Sequence, residues 1–419
     1  MTLANTHSDV LIVGGGIIGL ACAHYLIKEG RQVRIIEKDK VFTGASHGNC
    51  GLIFSSHLLP LCSPGIVLNE IKRLLKKDSP IYLDLKPDLK RWTWLLKFVQ
   101  NSNPTQLIHA LAAREALLRN SRLLYESLFS EGSLPCDRQT DGILMVFKDQ
   151  EAMESYGSNQ WFAETYGLQL QPYIGSQLTD LEPTLKSDLY GGWLYKNDTH
   201  LRPDMLGTSW KNELEQKGVL FEENCLTMGF ECQKDRIQRV ITSQGSFTAR
   251  DYVLAAGAWT SQFEKQLKLK LPIQPAKGYS ISMERSEMSP NLPCYFYEKR
   301  VVATPWKSGL RLGGIMELTG HNLRIVKNRL QQMKKDAELY IQTDFSGPDQ
   351  EEWAGLRPLT SDDLPIVDRS PRQKNLYIAG GHGTTGMSMA PSTGKLVTEL
   401  ITGNPTHIDT GPYSIQRFQ

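Results

Sequence analysis

Two glycine spacings in this 419-residue chain are those of loops that hold phosphate. The first, Gly14-Gly15-Gly16-Ile17-Ile18-Gly19, follows the apolar run from Asp9 to Val13 and opens the stretch LACAHYLIKEG. Gly14 suits a tight turn, Gly16 lets the backbone approach a pyrophosphate, and Gly19 lets helix and strand pack closely. Free amides and the positive end of the helix attract the phosphates. Glu37 closes the next run, RQVRIIEK, where a carboxylate accepts from both ribose hydroxyls and repels a 2′-phosphate. Strand, glycine loop, helix, strand and terminal acid make a complete βαβ dinucleotide unit, with Ile17, Ile18 and Lys38 beside the ligand.

The second spacing, Gly381-x-Gly383-x-x-Gly386, follows NLYIA and opens MSMAPSTGKLVTELITG. No further strand with a ribose-binding acid comes after it. This loop is therefore expected to complete the first site, not to form another. Its helix N-terminus, with Thr384 and Thr385, brings N–H donors and a positive dipole to an anionic edge such as the N1/C2=O side of a flavin. A third segment, RDYVLAAGAWTSQF, places Ala256, Gly257 and Trp259 at a strand end. Three separated small-residue strand ends suit an extended FAD better than NAD.

The elements that must position these loops are bounded by composition. A 40% hydrophobic share is enough for two domains sharing an interface, or for one with an inserted lobe. A net charge of +2 gives no argument for nucleic acid. The seven cysteines form no CxxC pair and leave one over, which reads as reduced thiols in a cytosolic setting. Nine scattered histidines show no metal-ligand spacing, so no metal is expected. The opening residues MTLANTHS lack the charged and apolar regions of a signal peptide, and no run approaches ~18 apolar residues.

With these segments in hand, the chain resembles the D-amino-acid oxidase superfamily of flavoenzymes, and within it the small subunit of bacterial D-amino-acid dehydrogenases. The stretches VLIVGGGIIGLACAHYL, PLCSPGIVLNEIKRLLKKDSPIYL, RWTWLLKF, KGYSI, LRLGG, WAGLRPLTSDDLPIV and GHGTTGMSMAPSTGKL carry the likeness in family order. The resemblance implies an α/β fold (α+β overall). A Rossmann-like FAD-binding domain would come from residues 1–80, 185–270 and 350–419. An inserted substrate domain on a mixed or antiparallel sheet would come from 81–184 and 271–349. It also implies oxidative deamination of free D-amino acids, with electrons passed to a non-oxygen acceptor such as membrane quinone. Oxidation of D-proline or D-hydroxyproline, a glycine/sarcosine-type oxidase, and a flavin-bearing structural subunit of a larger complex are the alternatives. Partner subunits and oligomeric state are not readable.

Arg357 in GLRP is the first candidate for chemistry. A planar guanidinium binds a carboxylate with two parallel bonds, and the superfamily's arginine in this motif holds the substrate carboxylate. After the second strand, TGASHGNCGLIFSSHLLP is implied to pass along the pyrophosphate and over the flavin ring. Ser46, Asn49, Gly51 and Leu52 match the family there, while His47 and Cys50 depart from it. His57 stands where the dehydrogenases have a pocket tyrosine. Tyr279 in KGYS matches the family, and a tyrosine hydroxyl beside Arg357 would add a second donor to the carboxylate. His382 is expected beside the flavin. Tyr295 and Tyr297 are out of register with a family active-site tyrosine.

Two basic stretches interleave apolar residues with Lys72, Arg73, Lys76, Lys77, Lys90, Arg91 and Lys97, and with Trp92, Trp94 and Phe98. They suit either a lobe surface with aromatics facing the core or a peripheral contact on the inner face of the cytoplasmic membrane.

Overall fold

A computed structural model describes residues 7–64, 81–132 and 134–419. Lys72, Arg73, Lys76 and Lys77 lie outside them. Among the described residues there are two large sheets and a small two-stranded one, Leu52–Ile53 with Thr199–His200. The first has five parallel strands side by side, in the order Leu220–Glu222, Val33–Ile36, His7–Val13, Gly245–Leu254 and Leu376–Gly380. Ile366–Arg369 runs antiparallel along the last of them. Both faces of these strands are covered, which is why their sequences read as continuous apolar runs rather than alternating ones. On one face lie the helices Ile17–Lys28, Pro203–Gln216 and Gly386–Thr402. The opposite face is covered by the hairpin Thr227–Gln233/Arg236–Thr242, through Phe230, Ile237 and Val240.

The second sheet has nine strands. Its path runs Glu351–Leu359, Gln274–Met283, Gly309–Leu318, Val301–Trp306, Cys294–Phe296, Ile143–Phe147, Gly191–Tyr195, Leu170–Ile174. All neighbours along it are antiparallel except Cys294–Phe296 and Ile143–Phe147. Ile81–Leu83 adds in parallel to Gly309–Leu318. One face packs Ile281, Leu310, Leu312 and Phe296 against Leu330 and Met333 of the helix Lys327–Glu338. The other face looks toward the first sheet. The α/β class and the mixed sheet agree with the sequence reading.

Three boundaries differ from those read in the sequence. Gly191–Tyr195 and Glu351–Leu359 hydrogen-bond into the second sheet, although residues 185–270 and 350–419 were assigned to the FAD domain. The helix Pro104–Glu131, assigned to the substrate domain, packs on the helix layer of the first sheet. There Tyr125 Oη donates to the Met387 carbonyl at 2.8 Å, and the Ser392 amide donates to Ser121 Oγ at 3.1 Å. Helical periodicity announces a buried face without saying what buries it.

Burial also sets a pH dependence. It pulls both His24, beside Trp210, and His200, beside the Pro305 carbonyl, down to about 4. Unfolded histidine titrates near ~6.5, so below that pH the unfolded chain binds protons the folded chain refuses, and stability falls with pH. Asp198, pushed up to about 6 by burial, opposes this, whereas His57 and His382, pulled down to about 3, act in the same direction as the first two histidines. We expect Tm to fall as pH drops from about 6.5 to 4. The double variant His24→Asn/His200→Asn should flatten that slope in thermal melts; an unchanged slope would count against the two buried neutral rings.

Candidate functional site

A cavity of about 560 Å³ lies between the two sheets. Its first wall is the glycine loop. A Cβ on Gly14 would fall 2.3 Å from the Ala255 carbonyl oxygen, and one on Gly19 would fall 2.0 Å from that of Gly14. These two glycines let strand, loop and helix touch. A Cβ on Gly16 would instead meet only Ser46 Oγ, at 3.3 Å. Gly16 therefore leaves a bare backbone face toward the cavity, as a pyrophosphate requires. Ser46 Oγ accepts from the Ile17 amide at 3.0 Å, fixing the following loop to the helix start.

Glu37 stands at the end of Val33–Ile36, where its carboxylate accepts from Gly15 N at 2.7 Å and Asp39 N at 3.2 Å. Burial raises its pKa, and these amide bonds work the other way. Lys38 lies 4.4 Å over the Trp259 ring, and both line the cavity with Ala256 and Gly257. Ile18, Asn49 and Leu52 line it too. Gly51 does not: its Cβ would fall 1.9 Å from the Leu201 carbonyl, so this glycine serves a backbone crossing.

The C-terminal loop forms the next wall. Gly383, Thr384, Thr385 and Gly386 line the cavity at the start of Gly386–Thr402. Gly381 turns away, toward Thr360, and is a packing glycine instead of a cofactor contact. His382 lines the cavity and meets Thr393 Oγ1 through Nε2 at 3.0 Å. Its Nδ1 is buried without a hydrogen-bond partner, and burial pulls the ring down to about 3. A neutral ring with one unused nitrogen is what a bound polar cofactor edge would satisfy.

The second sheet supplies the facing wall. Arg357 extends over Gly278, whose Cβ would fall 2.3 Å from Nη1. Nη1 donates to the Ile315 carbonyl at 2.8 Å. Among the described residues no carboxylate lies within ion-pair distance of this guanidinium, which borders the cavity and whose pKa burial lowers. Tyr279 does not join it. Alternation along Gln274–Met283 turns its ring to the opposite face, where Oη donates to Glu317 Oε2 at 3.0 Å. His57 lines the cavity, stacked on Phe54 with centroids 4.9 Å apart, and burial pulls it down to about 3. His47 is held by Glu351 Oε1 at 2.7 Å and is outside the cavity lining.

Sequence reasoning missed Trp353, Phe54, Tyr156 and Met145 on these walls. Trp353 had a signal, being two residues before Gly355: its indole occupies the space that Cβ atoms on Gly355 and Gly48 would need.

A parallel sheet with a glycine loop, an acid at the end of its second strand and a second glycine loop over one cavity is the arrangement of a dinucleotide-cofactor site. The chain matches the family model for DAO, FAD dependent oxidoreductase, over residues 9–400, and it belongs to that family. Its cofactor is FAD. A D-amino acid dehydrogenase of Helicobacter pylori (strain ATCC 700392 / 26695) is 30% identical over 393 residues, covering 94% of each chain. The solved glycine oxidase from Geobacillus kaustophilus superposes with a TM-score of 0.79 at 21% identity, covering 99% of both chains. The L-proline dehydrogenase from P. horikoshii gives 0.76 at 21% identity, covering 99% of this chain and 98% of its own. These two structures share the fold.

Gly16→Ala should leave circular dichroism unchanged while weakening FAD. Losing a charge-assisted contact of about 1.5–3 kcal/mol corresponds to about 10- to 100-fold in Kd. Gly14→Ala should also lower Tm, because its Cβ collides with backbone. FAD affinity untouched in Gly16→Ala would remove the phosphate role from that loop.

Proposed function

We propose that the protein oxidises free D-amino acids to 2-oxo acids and ammonia and passes the electrons to an acceptor other than oxygen, such as a quinone. The observation that carries this reading is Arg357: a cavity-facing guanidinium with no carboxylate partner among the described residues. The names of the Helicobacter relatives support the D-amino acid. When bound, FAD supplies the two-electron acceptor. Arg357 would grip the substrate carboxylate, and Gly278 and Gly355 leave room for that grip. The substrate loses hydride from Cα and a proton from nitrogen, and the resulting imine takes up water to give the 2-oxo acid and ammonia. His57 and His382 stay neutral at physiological pH, so neither puts a cation beside the amine. Catalysis is then mainly orientation in a desolvated site.

The acceptor reading draws on the helix Leu89–Gln100. Asp88 caps it, accepting from the Arg91 amide. Trp94, Leu95 and Phe98 line the cavity. On the outside, Leu89 is 84% exposed, Trp92 41% and Leu96 59%, with Lys86, Lys90 and Lys97 around them. An apolar stripe flanked by lysines suits the surface of an anionic bilayer, from which an apolar acceptor would come. No helix among the described residues is long and apolar enough to cross a membrane.

Arg357→Ala should retain FAD and its visible spectrum. KM for the amino acid should rise by about 30- to 5,000-fold, the equivalent of about 2–5 kcal/mol for a buried charge pair that loses one member. Steady-state kinetics checks this, and a KM within threefold of wild type would defeat the assignment. Leu89→Ser/Leu96→Ser should abolish sedimentation with phosphatidylglycerol vesicles but leave dye-linked activity intact. Equal sedimentation of the variant would exclude this helix as the contact.

A further inference from the structure

The cavity face of the second sheet carries an ordered row of side chains, and the strand register gives it residue by residue. Trp353 pairs with Ser280, Ser280 with Gly313, Gly313 with Val302, Val302 with Tyr295, and Tyr295 with Met145. Residues directly opposite one another across a ladder share a face. Beside this row the Arg357 guanidinium covers Gly278, and Cys50 Sγ covers Gly313, where a Cβ would fall 2.2 Å from the sulfur. Moving across the sheet from Arg357, the floor changes from a cation to a thiol, then an isopropyl group, then a phenol ring and a thioether.

The far end is closed by more rings. Tyr297 lies edge-on to Tyr156 at 5.2 Å, and Phe54 stacks on the neutral His57. Burial pushes the Cys50 thiol up, so it too stays uncharged. Arg300 also lies at this end, 4.6 Å from the Tyr297 ring centroid, with further interactions of its own. The guanidinium of Arg357 lies over the strand Gln274–Met283, and the strand carrying Tyr295 is three further on, about 14 Å backbone to backbone at the usual interstrand spacing, with the Tyr295 phenol reaching back far enough to act electrostatically on Arg357.

The geometry points to a side-chain subsite over Cys50, Val302, Tyr295 and Met145 that takes bulky apolar or aromatic side chains of the amino-acid substrate. It rests on the amino-acid reading above, with the carboxylate on Arg357. A methyl side chain covers little of that floor. A charged side chain would exchange water for thiol, aliphatic and ring surface. A benzyl, isobutyl or thioether side chain covers that surface and gains from every methylene it buries.

The test is anaerobic bleaching of the FAD-loaded wild type by D-phenylalanine, D-leucine, D-methionine, D-alanine, D-glutamate, D-lysine and D-proline. The first three should show second-order rates at least about 10-fold above the rest. Val302→Tyr fills the lane between Cys50 and Tyr295. With its FAD spectrum intact, it should lose at least about 10-fold on D-phenylalanine and stay within about threefold on D-alanine. Fastest bleaching by D-alanine, D-glutamate, D-lysine or D-proline would overturn the side-chain assignment and leave the D-amino-acid reading standing. Bleaching by none of the seven defeats both.

Discussion

A guanidinium buried in the second sheet holds the two halves of the site in register. Arg311, only 1% exposed, donates through Nη1 to the carbonyls of His47 at 2.6 Å and Asn49 at 2.9 Å. Its Nε meets Ser282 Oγ at 3.0 Å, and its Nη2 meets Glu351 Oε2 at 3.3 Å. The same Glu351 holds His47 and is kept below the usual carboxylate range chiefly by that bond. The segment so clamped begins at Ser46, on the glycine loop of the first sheet, and reaches Cys50, over Gly313 of the second. One desolvated charge thus links the glycine-loop end of the cavity to its floor on the second sheet. Removing one partner of such a group leaves the rest unpaired, at a cost of about 3–5 kcal/mol, so the arrangement tolerates little drift.

A second buried arginine does the same on the other side. Arg114, from the helix Pro104–Glu131, pairs with Asp363 at 3.1 Å and donates to the His57 carbonyl at 3.1 Å. Asp363 also accepts from the Leu61 amide at 2.8 Å. A helix, the His57 segment and the turn after Arg357's strand are tied at one point. The Gly383 amide donates to the Pro358 carbonyl at 2.8 Å and brings the C-terminal loop to the same strand. The position of Arg357 relative to the cofactor loops therefore follows from buried polar bonds, not from loop stiffness.

How much of this was legible follows from the range of the interactions. The first βαβ unit is local: turn, helix start and ribose acid lie within one stretch, and each residue type reports a steric or electrostatic need at its own position. Gly14, Gly16, Gly19 and Glu37 stand where the spacing put them. Arg357 was legible as a candidate through the family's GLRP motif, and the structure puts it on a strand facing the cavity. Tyr279 was not, because one step along a strand decides the face, and the motif carries no face. Gly381 and Gly51 read as cofactor glycines but answer to Thr360 and the Leu201 carbonyl, contacts made across long stretches of chain. The helix Pro104–Glu131 showed its length and caps but not its partner layer. Arg311 sits in GLRLGG, and a charge inside an apolar strand run is a signal that a buried partner must exist; which partner is a tertiary fact.

The same desolvation that makes Arg357 costly in the cavity makes it selective. Its guanidinium has exchanged most of its water for one carbonyl, the Cys50 thiol and the Tyr295 ring nearby, and burial pulls its pKa down. A ligand with a carboxylate restores a charged partner and recovers much of that cost on binding. An amine without one leaves the cation as it was and adds its own desolvation. Discrimination between amino acids and simple amines then needs no clash and no gate, because it is the difference between compensating a buried charge and ignoring it. In the proposed reading the carboxylate end of the ligand would be fixed by this electrostatic term and the opposite end by apolar area, two interactions of different kind acting at opposite sides of one Cα.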